Sequence, residues 1–287
     1  MESMPEGRGM VEGVLLPDGT VLWINGANRG AQGFLLATDP TLRPLLYDPK
    51  KAKGSRWAQL AASKIPRLYH SVALLLLDGT VLVAGSGPNE MPVLNPTPNN
   101  PYVTEFRVER FTPPYLQGSK ASLRPTSLQV PATVNANGGS FTVSFAVPAT
   151  AKSIRIALYH GGFVTHSVHM GHRMLFLDVA GWKAGQAKQT LTVKAPQNLN
   201  VAPPGPYVIY AVVGSLSPFL IAHRSLLTTV PPRPTASPPW VSSSGLPEPN
   251  EAPAPASSGA AQTSDSPVPK PPVLVFLSFS LPFASFI

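Results

Sequence analysis

Apolar positions in the first hundred residues fall in short runs broken by Asp-Gly. Leu16-Pro17-Asp18-Gly19-Thr20-Val21-Leu22 aligns with Leu76-Leu77-Asp78-Gly79-Thr80-Val81-Leu82 at an offset of 60 residues. Each copy reads as apolar strand, turn, apolar strand. Asp-Gly between apolar runs predicts a hairpin in which both turn residues take φ > 0. The second strand of each copy runs into Gly, at Asn25-Gly26 and Ala84-Gly85. A hairpin recurring at this spacing predicts blades of a kelch-type β-propeller. A ring takes roughly four to eight blades, and a blade buries its faces only against neighbours. Residues 1–108 therefore read as about two blades from the end of a ring.

From Glu109 the pattern changes. Phe111-Thr112-Pro113-Pro114-Tyr115-Leu116 is a Pro-interrupted connector. Phe141 to Phe145 alternates cleanly, and Ile154, Ile156 and Leu158 alternate with Ser153, Arg155 and Ala157. Met174–Leu177, Leu191–Val193, Tyr207–Val213 and Leu220–Leu227 are further strand candidates. About seven short strands with turn signals between them predict an immunoglobulin-like sandwich over 109–230. Pro203-Pro204-Gly205-Pro206 before Tyr207 fits a corner between sheets.

The 287 residues include 35 Pro and 23 Gly, which excludes a helical bundle. Of these Pro, 14 lie from Pro231 onward. Residues 231–272, rich in Pro, Ser and Ala, bury too little apolar area to offset chain entropy and predict a disordered stalk. Residues 273–287 form an uncharged apolar end with Pro282 inside it, shorter than the roughly 20 residues of a spanning helix. The small residues Ser257, Ser258, Gly259, Ala260 and Ala261, a polar spacer and that end have the layout of a glycolipid-anchor signal. The start, MESMPEGRGM, carries no secretory signal. A C-terminal signal without an N-terminal one suggests a truncated start. The fold class is all-β: a partial propeller, a sandwich and a Pro-rich tail.

Net charge is +8, but the basic residues are scattered. Lys50, Lys51, Lys53 and Arg56 beside Pro49 and Gly54 read as a solvated loop, so nucleic acid is not a partner. With no Cys, disulfides, thiolate metal sites and Cys nucleophiles are excluded.

Two places carry candidate chemistry. Tyr69-His70 precedes the second hairpin, where the first copy has Gly9-Met10, so the pair is not a requirement of the blade. In a regular strand the two side chains would face opposite sides. They meet one centre only at a strand end or an irregular loop, which Pro66 favours. The plainer alternative is a Tyr packed in the ring beside an exposed His. The second place holds four of the six His: His160, His166, His169 and His172. Imidazole suits copper, zinc, iron and nickel. Without a helix nothing makes all four converge, so a single ligand among them is expected. His223, in the last strand, reads as structural.

RLYHSVALLLLDGTVLVAGSGPN, TEFRVERFTPPYL, FVTHSVHMGHRMLFL and PPGPYVIYAVV together resemble the C-terminal part of the glyoxal oxidase and galactose oxidase family of copper-radical oxidases. MPEGRGMVEGVLLPDGTVLWINGANRGAQGF is similar to the preceding blade of the glyoxal oxidase branch. The resemblance runs from Met4 to Leu227. It implies one copper on the propeller axis and a loop of the immunoglobulin-like domain reaching into the ring. The implied metal ligands are Tyr69, His70 and His166. Tyr69 is the implied axial phenolate and catalytic proton acceptor, with His70 and His166 as equatorial nitrogens. His160, His169 and His172 match no ligand and are expected at the surface.

The resemblance also implies a Cys–Tyr radical cofactor, and this chain has no Cys. The expected function is that of the C-terminal fragment of an extracellular copper-radical oxidase, inactive by itself. The complete protein would oxidise small aldehydes of the glyoxal type to carboxylic acids, reducing O2 to H2O2. It would be a monomer, secreted or held at the cell surface by the glycolipid anchor. The alternative is a non-catalytic surface module that binds wall polysaccharide, with Trp182 as a candidate stacking platform.

Overall fold

A computed structural model describes residues 2–118, 120 and 124–214, and the backbone of 220–228. The stalk at 231–272, the apolar end at 273–287, the anchor-like cluster at Ser257–Ala261 and the side chain of His223 lie outside the described residues.

The first blade is a four-stranded antiparallel sheet with one excursion. Its strands are β1 (Glu12–Leu15) and β2 (Val21–Ile24), then the side hairpin β3 (Ala27–Arg29) and β4 (Thr38–Pro40), then β5 (Leu45–Tyr47) and β6 (Trp57–Gln59). The spatial order is β1-β2-β5-β6, with β3 and β4 paired apart. The second blade is the three-stranded sheet β7 (Val72–Leu75), β8 (Val81–Ala84) and β9 (Glu109–Phe111). β1 and β7 stand at the edges of their sheets and lie beside each other. Val14, Leu22, Ala73, Val81 and Val83 are buried between the blades and the domain below. Each such Val or Leu contributes about 1.5–3 kcal/mol relative to exposure.

The Asp-Gly turns differ from the expectation. Gly19 N–H donates to Leu16 O at 2.9 Å, Leu16 N–H to Thr20 O at 2.9 Å, and the second copy repeats both bonds. Only the Gly takes left-handed backbone, with φ 90 at Gly19 and 82 at Gly79. The loop is the three-residue form that ends in a left-handed Gly, not the two-residue form. Asp is chosen here for its side chain: Asp18 Oδ1 accepts from Thr20 N–H at 2.9 Å and from its hydroxyl at 2.6 Å. Asp78 does the same for Thr80.

The sandwich contains β10 (Thr126–Gln129), β11 (Thr133–Val134), β12 (Ser140–Ala146), β13 (Ser153–His160), β14 (Phe163–Thr165) and β15 (Val168–Met170). These are followed by β16 (Arg173–Leu177), β17 (Val179–Ala180), β18 (Lys188–Lys194), β19 (Gly205–Gly214) and β20 (Leu220–Thr228). One sheet has the order β10-β12-β18-β17, the other β11-β20-β19-β13-β16, and β14 and β15 form a separate hairpin. This is more strand than the seven expected, because β10, β11, β14, β15 and β17 are short and lack clean alternation. Tyr207 Oη donates to Pro203 O at 2.9 Å, closing the corner that the Pro-Gly run announced.

The sheet holding β13 and β19 is buried on both faces. Ile156, Leu158, Ile209 and Ala211 point into the sandwich core with Val143, Phe145, Leu191 and Val193. Their alternates Ala157, Tyr159, Tyr210 and Val212 join Val14, Leu16, Val81 and Tyr115 in a second core against the blades. The two Asp-Gly turns dock onto this face. Tyr115 Oη donates to Gly79 O at 2.6 Å, Tyr210 Oη to Leu76 O at 3.0 Å, and Arg155 to Asp18 O at 2.6 Å.

Candidate metal centre

Tyr69 and His70 lie in a turn immediately before β7. His70 has φ 67, a left-handed kink that breaks strand alternation and swings both rings to one side. Their ring centroids are 3.8 Å apart. The kink belongs to the blade, since Met10 at the matching place has φ 56. The chemistry belongs to the second copy alone. Gly85 lets the kink close: a Cβ there would stand 2.5 Å from His70 O. Arg67, two residues upstream, is buried and donates to Glu109 Oε2 at 2.9 Å, to Arg107 O at 2.9 Å and to Gly85 O. The chain on both sides of the pair is therefore anchored.

His166 comes from the other domain. It sits with Ser167 at the tip of the β14–β15 hairpin, where φ is 53 and 63. The hairpin leaves the sandwich after β13 and runs alongside β1. Ser167 Oγ donates to Met10 O at 2.8 Å, and Gln32 Nε2 reaches His166 O at 3.4 Å. Thr165 Oγ1 and His166 Nδ1 are 2.7 Å apart. The His166 ring centroid lies 5.7 Å from that of Tyr69 and 6.2 Å from that of His70.

The structure thus gathers Tyr69, His70 and His166 into one cluster. Tyr69 is 8% exposed, while both imidazoles reach solvent. Partial burial, and then the nearby His166, hold the His70 pKa below the ordinary imidazole value. That favours the neutral ring, whose lone pair a metal needs. Among the described residues no group of three or more His, Cys, Asp or Glu side chains converges, so the donor that stands third beside the two imidazoles is the Tyr69 phenol. One phenol oxygen and two imidazole nitrogens fit Cu(II). The Cys–Tyr pair does not fit, because the sequence has no Cys to form it.

Sequence reasoning missed Phe34. It lies on the β3–β4 excursion, 48% exposed, with its ring centroid 6.0 Å from Tyr69 and 5.7 Å from His70. Nothing in Gly33-Phe34-Leu35 marked it, since only tertiary packing brings that loop over the site.

The other histidines correct an expectation. His169 is not at the surface: its side chain is 6% exposed and its Nε2 lies 3.0 Å from Oε2 of the fully buried Glu12. His172 is half-buried, with Nε2 3.1 Å from Tyr159 Oη and its ring stacked on His169 at 4.7 Å. Burial, then His169 and His160, push its pKa down to about 4. His160 is half-buried against Tyr207, with Nδ1 2.8 Å from Pro206 O. His169, with His172 stacked on it, is drawn in because the hairpin lies along β1, whereas His160 sits against the sandwich. Trp182 is partly buried, packing against the sandwich core, and its Nε1 donates to Lys152 O at 3.3 Å.

Comparison with known proteins places this architecture. The glyoxal oxidase N-terminus family matches residues 1–115, and the galactose oxidase-like early set domain matches residues 124–218. Aldehyde oxidase GLOX1 of Arabidopsis thaliana is 39% identical over 216 residues, which are 74% of this chain and 34% of that protein. Aldehyde oxidase GLOX of Vitis pseudoreticulata is 40% identical over 215 residues, 74% of this chain and 40% of that protein. The chain therefore spans between a third and two-fifths of the length of these curated relatives. A solved fungal alcohol oxidase of the AA5 family, in complex with copper, shares the fold at TM-score 0.62 and 23% identity. That likeness covers 80% of this chain and 44% of the other. Two domain matches in chain order, on a fold that joins them through one core, show that residues 1–115 belong to the glyoxal oxidase N-terminus family and residues 124–218 to the galactose oxidase-like early set domain family.

Proposed function

We propose that Tyr69, His70 and His166 hold one copper ion, and that this chain is the C-terminal, copper-binding part of an oxidase of small aldehydes. The observation that carries the reading is the convergence of one phenol and two imidazoles from two domains. The relatives called aldehyde oxidase support the substrate class. In the overall reaction an aldehyde hydrate gives up two electrons and two protons to O2, leaving a carboxylic acid and hydrogen peroxide.

Bound copper supplies a Lewis acid and a one-electron acceptor. His70 and His166 hold it from opposite domains. Tyr69, buried beside them, would supply the phenol oxygen and, as its phenolate, would accept the proton of a substrate hydroxyl as a general base. Phe34 forms an apolar wall beside the two rings of the second blade, admitting small substrates and limiting water. With no Cys in the sequence, no radical step is assigned to these residues.

The test is a Cu(II) titration of the full chain followed by electron paramagnetic resonance. The expected result is one copper with coupling to two nitrogens, lost in part in His70→Ala and in His166→Ala. Tyr69→Phe keeps the copper and both nitrogens. His160→Ala changes nothing. Adding glyoxal should shift the copper signal of the wild type, whereas an alcohol such as glycerol should shift it less. Copper retained in His166→Ala but lost in His160→Ala would overturn the assignment.

We also propose secretion or display at the cell surface through the anchor-like tail. Release of the surface protein by a phosphatidylinositol-specific phospholipase is the expected outcome. Retention after that treatment counts against the anchor.

A further inference from the structure

Glu12 is a fully buried carboxylate on the edge strand of the first blade. Burying a carboxylate is costly unless it is paired. Its partner, His169, comes from the other domain, at 3.0 Å. On β1 and the residues before it, Met10 and Glu12 are two apart. On the hairpin, Ser167 and His169 are two apart. Ser167 bonds to Met10 O and His169 to Glu12, so two hairpin residues two apart are tied to two blade residues two apart. His166 is the next residue beyond these ties. Among the described residues β15 pairs with β14 alone, so no strand ladder holds the hairpin to the blade. On its outer face Phe163, Val168 and Met170 are all half exposed or more, so packing there does not hold it either.

We infer that Glu12 and His169 form a positioning pair: they set the β14–β15 hairpin against β1 and thereby place the His166 imidazole beside Tyr69 and His70. His172 supports the pair from behind, stacking on His169 while its Nε2 meets Tyr159 Oη. The pair touches no metal and no substrate. It acts through His166, in the way that outer groups around a metal ligand fix the ligand's orientation and change affinity by about 10–100-fold. The inference rests on the copper reading above.

The experiment is copper affinity and nitrogen coupling in the full chain, beside melting of the metal-free protein. Glu12→Ala should bind Cu(II) about tenfold more weakly or worse, with coupling to one nitrogen instead of two. Glu12→Gln keeps an acceptor for the His169 N–H and should recover affinity to within about threefold of wild type. The double variant Glu12→Leu/His169→Leu leaves no orphaned buried charge, so it should fold at least as stably as Glu12→Ala. It should still bind copper as weakly as His166→Ala. Stability and copper binding separate in that variant: a purely structural pair would leave affinity and coupling at wild-type values. That result, with His166→Ala showing the loss, overturns the positioning role. If His166→Ala itself leaves copper binding unchanged, the copper reading fails instead. Should Glu12→Ala not fold, the double variant decides in the same two directions.

Discussion

The ring of Tyr69 lies 5.7 Å from the imidazole of His166, and the two belong to different domains. The blade supplies one through a kinked turn, the sandwich supplies the other through a hairpin. The site therefore exists only while the domains are docked, and the first predictions concern what holds each half in place.

Gly85 has φ 61 and no room for a Cβ, which would meet His70 O at 2.5 Å. Gly85→Ala is expected to cost about 1–3 kcal/mol, the range for backbone strain of this kind. It should also weaken copper binding, because the relief of the clash moves His70. Gly7, with nothing within 4 Å, is the control, and Gly7→Ala should melt like wild type. Chemical denaturation and copper titration read both effects. A Gly85→Ala protein indistinguishable from wild type would show that the kink is not tight.

Arg67→Ala removes a buried guanidinium from Glu109 and from two carbonyls. Breaking a buried pair from one side costs about 3–5 kcal/mol, and the low end is expected because the Glu109 side chain is 30% exposed. Urea unfolding measures it. A loss under about 1 kcal/mol, the size of a surface pair, would mean that the pair is solvated.

Tyr115→Phe deletes the 2.6 Å bond from a buried hydroxyl to Gly79 O, one of the ties between turn and sandwich. The expected loss is about 1 kcal/mol for the bond, rising toward 3 if the carbonyl finds no water. Thermal melting at neutral pH gives the value, and an unchanged midpoint would show that the carbonyl is already hydrated.

Acid should loosen the hairpin. The His172 pKa is pushed down to about 4, against 6.5 for an exposed imidazole. Between those values the unfolded chain binds a proton that the folded one refuses, so stability rises with pH across that window. It is fully present above about pH 6.5 and is lost as pH falls toward 4. The ring is partly solvated, so after screening the loss is on the order of 1–2 kcal/mol. His172→Gln should flatten this part of the stability profile. A slope that persists unchanged in His172→Gln would assign the titration to another group.

Much of the architecture was legible. The repeated Leu-x-Asp-Gly-Thr-Val-Leu unit announced two hairpins because a tight turn needs Gly and a capping Asp at fixed places. Alternation at 141–145 and 153–158 announced sandwich strands because one face had to be apolar. Tyr69-His70 stood out because the first copy has no counterpart. The β14–β15 hairpin was not legible as strands: Val164-Thr165-His166-Ser167-Val168 is polar at its tip and, among the described residues, pairs only with itself. Glu12 gave no signal at all, since a single acidic residue at the head of a strand reads as solvated.

By itself the sequence determined the local elements: turns, strand periodicity, the Pro-closed corner before Tyr207, and the absence of any Cys. These follow from short-range sterics and from the need of each strand to hide one face. Only the tertiary structure decided that β13 and β19 hide both faces, one in each core. It alone decided that Phe34 covers the site, that His169 meets Glu12, and that His166 arrives beside Tyr69. Those outcomes depend on where two domains come to rest against each other, and long-range packing leaves no periodic trace in the residues it brings together.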